Sequence, residues 1–176
     1  MKFRNIVIAA AILVGLGSSR ANGGEQYARL APIGSFAAYV YADENSTSLG
    51  INSQRAVDYV ASLLNQGGVA TDPESGTYFK VGIYSTALRN LYDRAQVMNT
   101  HAVTITIECF RVTSNGHEMI WQDLNYGGYS GVTADFIVNE IQSTIENSVA
   151  AFCADYAQDR KGGVTAENAG LRRPGA

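Results

Sequence analysis

Apolar and polar positions alternate with period two over four stretches of this chain, and recur at three- and four-residue steps over two others. From Ser35 to Asp43, Phe36, Ala38 and Val40 fall on one side while Ala37, Tyr39 and Tyr41 fall on the other, which predicts a half-buried strand. A second strand is predicted over Thr77 to Thr86, with Phe79, Val81 and Ile83 opposite Tyr78, Lys80 and Tyr84. The clearest alternation sets Val103, Ile105, Ile107 and Cys109 against Thr104, Thr106, Glu108 and Phe110. Ser114-Asn115-Gly116 follows it. Asn-Gly accepts the positive backbone angles of a tight hairpin, so a fourth strand should run back from about His117 to Tyr126.

The first helical stretch follows the polar loop Asp43 to Gly50. Asn52 or Ser53 can cap it, because a short side-chain oxygen accepts the free N–H groups of a first turn. Ala56, Val57, Val60, Ala61, Leu63 and Leu64 make its apolar stripe, and Gly67-Gly68 stops it. The second, about Ala134 to Tyr156, carries Ile137, Ile141, Ile145, Val149, Phe152 and Tyr156 at helical spacing. Between strands two and three, Ala87 to Thr100 reads as a long hairpin connection with a helical turn near Leu88 to Arg94.

The element order is β-α-β-β-β-α. Both helices must bury a stripe, and the first three strands have one clearly apolar face each. The expected fold is therefore α+β: a two-layer sandwich with a four-stranded, mainly antiparallel sheet and both helices on one face. It should occupy residues 35–157. Residues 22–34 read as an exposed lead-in, and the polar, Gly-rich residues 158–176 as a disordered tail.

Residues 1–21 change the picture of where the protein works. Lys2 and Arg4 precede an apolar run from Ile6 to Leu16, then small residues with Ser19 and Ala21 at the −3 and −1 positions of a cut. That is the layout of a secretory signal peptide, and the run is shorter than the ~20 apolar residues that cross a bilayer. A mature chain from Asn22 would have no transmembrane segment and would be periplasmic or secreted. It would keep ten basic residues against sixteen acidic ones, with no cluster of Lys and Arg. Nucleic acid is therefore a poor partner, because duplex binding needs clustered cations.

Outside the cytoplasm, the two cysteines Cys109 and Cys153 are read first as a disulfide. It would tie the last helix to strand three and close a loop of about 45 residues, worth on the order of 3–4 kcal/mol.

Catalytic chemistry is sparse. The histidines, His101 and His117, belong to no spaced metal motif, although a pair across the hairpin is conceivable. There is no Gly-x-Ser-x-Gly elbow, phosphate loop or Cys-x-x-Cys. Gly127 to Val132 reads as a connecting loop, and Asp43-Glu44 and Asp72/Glu74 as solvated charge. Asn45-Ser46-Thr47 fits a glycosylation acceptor, which matters only in a eukaryotic secretory pathway. No catalytic residue, metal or cofactor is assigned.

The sheet face turned from the helices is the more unusual feature. Alternation places Tyr39, Tyr41, Tyr78, Lys80, Tyr84 and Phe110 there, with Trp121 joining if strand four puts Ile120 and Leu124 inward. Aromatic residues with polar tips are enriched at interfaces because they bury area and keep a hydrogen bond. The plainer reading is that tyrosine and threonine suit strands, or that the segment after the leader covers the face. Three functions follow: a binding or accessory protein using this face, a secreted enzyme or metal-binding protein using His101, His117 and nearby carboxylates, and a structural subunit assembling through sheet edges.

The run THAVTITIECFRVTSNGHEMIWQDLNYGGYSG and the helix after it carry a resemblance. With the Gly-ended helix Ser53 to Gly67 and the Ile120-Trp121 step, Phe36 to Tyr156 resembles small outer-membrane lipoproteins of unknown function in the Gram-negative envelope. More loosely, it resembles accessory lipoproteins that assist lipopolysaccharide or curli export. The resemblance implies an α/β sandwich and a non-enzymatic role with an envelope protein or envelope component. Those families carry a lipobox cysteine, whereas this chain reads Ser18-Ser19-Arg20-Ala21-Asn22.

Overall fold

The strongest period-two alternation forms the middle of the sheet. In the computed structural model, which describes residues 14–20, 30–89 and 97–170 (backbone course alone for 14–20, 88–89, 97–99 and 162–170), β4 (Val97–Thr113) is flanked by β3 (Thr77–Arg89) and β5 (Gly116–Ser130). Both ladders are antiparallel. β2 (Ala37–Ala42) joins the far side of β3 in parallel, since the chain crosses over through helices between them. The α+β architecture is the expected one, and β2 to β5 make the expected four strands.

A fifth strand extends the sheet. β1 (Val14–Arg20) pairs antiparallel with β5, so the order is β1-β5-β4-β3-β2. It lies in the segment read as a leader.

Helix α2 (Ser53–Gln66) starts at Asn52, whose side-chain oxygen accepts the Arg55 N–H at 3.0 Å, and ends at Gly67. α3 (Ala134–Gly170) starts where the Thr133 hydroxyl accepts the Phe136 N–H at 3.2 Å. Both stripes face the apolar side of the sheet. Val60, Leu64, Ile137, Ile141, Ile145, Val149 and Phe152 are buried against Phe79, Val81, Ile83, Val103, Ile105 and Ile107.

Several expectations are corrected. The loop after β2 contains a short helix, α1 (Glu44–Ser48), capped by Asp43. Asp43 is not simply solvated: its carboxylate accepts the backbone N–H groups of Ser46 and Ser85. Within the acceptor triplet, Ser46 is buried and Asn45 donates to the Ser85 carbonyl. Leu88 and Arg89 are strand, not helical turn, and residues 90–96 lie outside the described residues. Gly127 to Ser130 belong to β5 instead of forming a loop.

The lead-in is not exposed where it is described. Leu30 and Ile33 are buried, and the Tyr156 hydroxyl donates to the Ile33 carbonyl at 2.6 Å. Residues 22–29 lie outside the described residues. α3 also continues past Tyr156 to Gly170, and Asp159 accepts the Ala31 N–H at 2.7 Å. The beginning of the expected tail thus fastens the lead-in to the domain. Residues 171–176 lie outside the described residues.

The two cysteines are free and buried. Phe79 and Trp121 are the cross-strand partners of Cys109, and the Phe152 ring packs on both, with centroids 4.8 and 5.2 Å apart. With Phe152 seated there, Cys153 is turned one helical step away, against Gly67. Burial raises both thiol pKa values above the ordinary range, because a thiolate is poorly solvated among apolar side chains.

Candidate functional site

The face away from the helices is built in rows by the register of β2 to β5. Tyr78, Phe110 and Met119 form one row, and Tyr39, Lys80, Glu108 and Gln122 the next. Tyr41, Gly82, Thr106 and Leu124 follow, then Tyr84, Thr104 and Tyr126. Tyr39, Tyr41, Tyr84 and Tyr126 are 51, 43, 38 and 57 % exposed, so none of the described elements covers them. The described part of the lead-in packs at Tyr156 instead, on the other side of the sheet.

Ring contacts organise this face locally. Tyr41 and Tyr84 lie 5.6 Å apart, and Tyr78 stacks on Phe110 at 5.2 Å with 17° between the planes. Gly82 makes the first contact possible, because a Cβ there would stand 2.9 Å from the Tyr84 ring. Tyr84 thus lies over the glycine and supplies the apolar cover the residue lacks. Lys80 and Glu108 pair across β3 and β4 at 3.2 Å. Both are about one-third exposed, so the bridge adds at most about 1 kcal/mol and leaves the face nearly neutral.

Six of the seven sequence-predicted residues, Tyr39, Tyr41, Tyr78, Lys80, Tyr84 and Phe110, stand on this one face. Trp121 does not. The ladder pairs Cys109 with Trp121 but Phe110 with Met119, so Ile120 is an extra residue on β5. This bulge sends both Ile120 and Trp121 inward, where they are buried. Trp121 packs on Phe79 and Phe152, and its indole N–H donates to Asp155 at 3.0 Å. Leu124, expected inward, is 40 % exposed on the outer face, and Gln122 is outward too. Met119, Leu124 and Tyr126 also belong to this face. The bulge is why periodicity missed Leu124 and Tyr126, which follow it, whereas Met119 precedes it and has the outward parity that alternation gave Trp121.

The same register brings Asp123 and Asn125 into the interior. Ser148 of α3 donates to Asp123 at 2.6 Å, and Asn125 donates to Asp123 and Ser148 at 3.2 Å each. These bonds offset part of the cost of burying the set. Both bonds to Asp123 fall on its Oδ2, while its Oδ1 is buried without a hydrogen-bond partner among the described residues.

His101 and His117 do not meet. His101 pairs with Tyr129 and His117 with Val112, so they sit at opposite ends of the β4–β5 ladder. On β4 the two positions are His101 and Val112, roughly 35 Å apart at about 3.3 Å per residue of strand. His117 packs on Phe110 at 5.3 Å, whereas His101 is on the helix side beside Tyr129. Among the described residues no three of His, Cys, Asp and Glu gather as a metal site. Burial, then the Glu140 charge, raises the Tyr129 hydroxyl pKa.

A cleft of about 380 Å³ opens between α2 and α3. Ile51, Ile83, Ile141 and Ile145 form its floor, with Arg55 and Gln142 at its edge. Tyr59 donates to Glu146 and accepts from Gln142, linking the helices beside it. Periodicity assigned Ile83, Ile141 and Ile145 to core faces and had no signal for a gap beside them.

No family model matches the chain, and no curated protein matches it. Among solved structures, the chain is similar to the PelC dodecamer of Paraburkholderia phytofirmans, at 15 % identity over 81 % of this chain and 97 % of that one, with a TM-score of 0.44. A single-substitution variant of that dodecamer gives 16 % identity over the same shares and a TM-score of 0.43. Rare lipoprotein B from Shewanella oneidensis gives 11 % identity over 77 % and 98 %, with a TM-score of 0.29. These are distant likenesses. Among the described residues no helix is long and apolar enough to cross a membrane.

Proposed function

We propose that this protein is a non-catalytic binding or accessory protein of the bacterial envelope, exported with removal of residues 1–21, which engages an envelope protein or envelope component through its outer sheet face. The observation that carries the reading is that Tyr39, Tyr41, Tyr84 and Tyr126 stay exposed on a sheet whose other face is fully used by the core. A monomer seldom leaves so many large rings in one patch without a partner for them. The tyrosines bury apolar area while each hydroxyl keeps a hydrogen bond, which suits a surface that is alternately wet and covered. The leader pattern and the resemblance to envelope lipoproteins support the location. His101 and His117 sit at opposite ends of the β4–β5 ladder, too far apart to share one metal ion.

The test is affinity capture from the native envelope fraction, comparing the wild type with Tyr41→Ala/Tyr84→Ala/Tyr126→Ala. Trp121 is left intact because it supports the core. A partner held by the wild type and lost by the folded triple variant would support the reading. Equal capture by both proteins would overturn the assignment of the face.

A further inference from the structure

β5 is an interior strand only because β1 lies beside it. The ladder between them runs from Arg20↔Asp123 to Val14↔Gly128, and all of β1 belongs to residues 1–21. If export removes those residues, as proposed above, the backbone donors and acceptors of β5 that face β1 lose their partners. A bare strand edge is a template for another strand.

Natural edges are guarded by proline, lysine or charge. This one is not. Asp123-Leu124-Asn125-Tyr126-Gly127-Gly128 contains no proline and no basic residue, and its one charge, Asp123, is buried toward α3 and bonded to Ser148. On the other face, Leu124 and Tyr126 are exposed apolar side chains at the edge itself.

We infer that the β5 edge from Asp123 to Gly128 is a strand-acceptor surface, and that in the leader-free protein its occupant is the same edge of a second copy. The polarity of the observed ladder fits this occupant, and a second leader-free copy brings an identical bare edge. β1 is antiparallel to β5, and antiparallel is the relation that a two-fold axis normal to the sheet imposes on two β5 strands. One contact satisfies both bare edges at once. Centred on Asn125, the pairing sets Leu124 of each copy against Tyr126 of the other, at Cβ separations of about 4.5–5.5 Å. The two sheets then continue into one, and their tyrosine faces become a single surface.

This inference rests on the export reading, and the experiment separates the two. The full-length chain is expressed with its own N-terminus in a Gram-negative host and purified from the periplasm. Intact mass shows whether residues 1–21 are gone, and light scattering across a concentration series gives the assembly. The expected result is a leader-free chain with twice the monomer mass. Leu124→Lys/Tyr126→Lys, which opposes like charges across the pair, should raise the dimer Kd at least about tenfold. Leu124→Cys/Tyr126→Cys should cross-link into a covalent dimer, and Tyr41→Ala/Tyr84→Ala should leave the dimer intact. A leader-free chain that is monomeric at every accessible concentration overturns the inference and leaves the export reading standing. A dimer indifferent to the lysine pair, with no cross-link, also overturns it. A chain that retains residues 1–21 overturns both.

Discussion

Gly67, at the end of α2, lies against Cys153 of α3: a Cβ on Gly67 would stand 2.8 Å from the Cys153 Cβ and closer still to its sulfur. The two helices approach as closely as they do because one side contributes no side chain. Gly67 has an ordinary backbone angle, φ −78°, so its role is space and not conformational freedom.

Gly67→Ala should therefore destabilise the domain by about 1–3 kcal/mol, the usual range for overpacking, although alanine is the better helix former. Gly67→Ala/Cys153→Ala should recover part of the loss, since it removes the sulfur, the atom in closest conflict, while the Cβ of residue 153 stays 2.8 Å away. Urea unfolding of the two single variants and the double would check this. Additive losses would show that the contact is not the cause.

The cysteines should behave as two buried thiols. The purified chain should have its fully reduced mass, resist alkylation when folded and yield two titratable thiols after denaturation. Burial raises the Cys109 pKa, so the folded state keeps a proton that the unfolded chain releases near pH 9. Its contribution is complete below that pH and is lost progressively as pH rises above it, because the folded pKa lies higher still. Stability should fall on the alkaline side, and Cys109→Ala should flatten that slope while lowering stability throughout. A slope unchanged by the substitution would assign it to other groups.

Trp121 is the single tryptophan, which makes its environment directly readable. Its emission should be blue-shifted and poorly quenched by iodide. Asp155→Ala leaves the indole N–H without its acceptor and should cost about 1–3 kcal/mol. A red-shifted, freely quenched spectrum in the native state would place Trp121 outside the core.

Ser148→Ala should destabilise by a similar amount, about 1–3 kcal/mol, because it strips the 2.6 Å donor from the buried Asp123 carboxylate. Tyr41→Ala/Tyr84→Ala should cost less than about 1 kcal/mol, since both rings are more than one-third exposed. Thermal melts of these variants would separate residues that hold the fold from residues that stay available. A large loss from the tyrosine pair would mean that the outer face serves stability.

The β-α-β-β-β-α order of β2, α2, β3, β4, β5 and α3, both helix stripes, the Asn52 cap, the Gly67 stop and the two faces of β2, β3 and most of β4 were determined by the sequence alone. Each is local: a period of two or 3.6, or a short side chain meeting a free N–H one turn away, needs no knowledge of what lies opposite. The fate of Trp121, Asp123, Leu124 and the cysteines was decided only by tertiary structure. One extra residue at Ile120 shifts which β5 side chains face the core, and nothing within β5 announces it, because the bulge is defined against β4. The cysteines stay apart because Phe152, one residue before Cys153, fills the space against both neighbours of Cys109, and helical geometry then turns the sulfur to Gly67. Pairing Val14–Arg20 with β5 was likewise beyond the reach of periodicity, since a strand edge accepts a partner by backbone hydrogen bonds that carry no side-chain pattern.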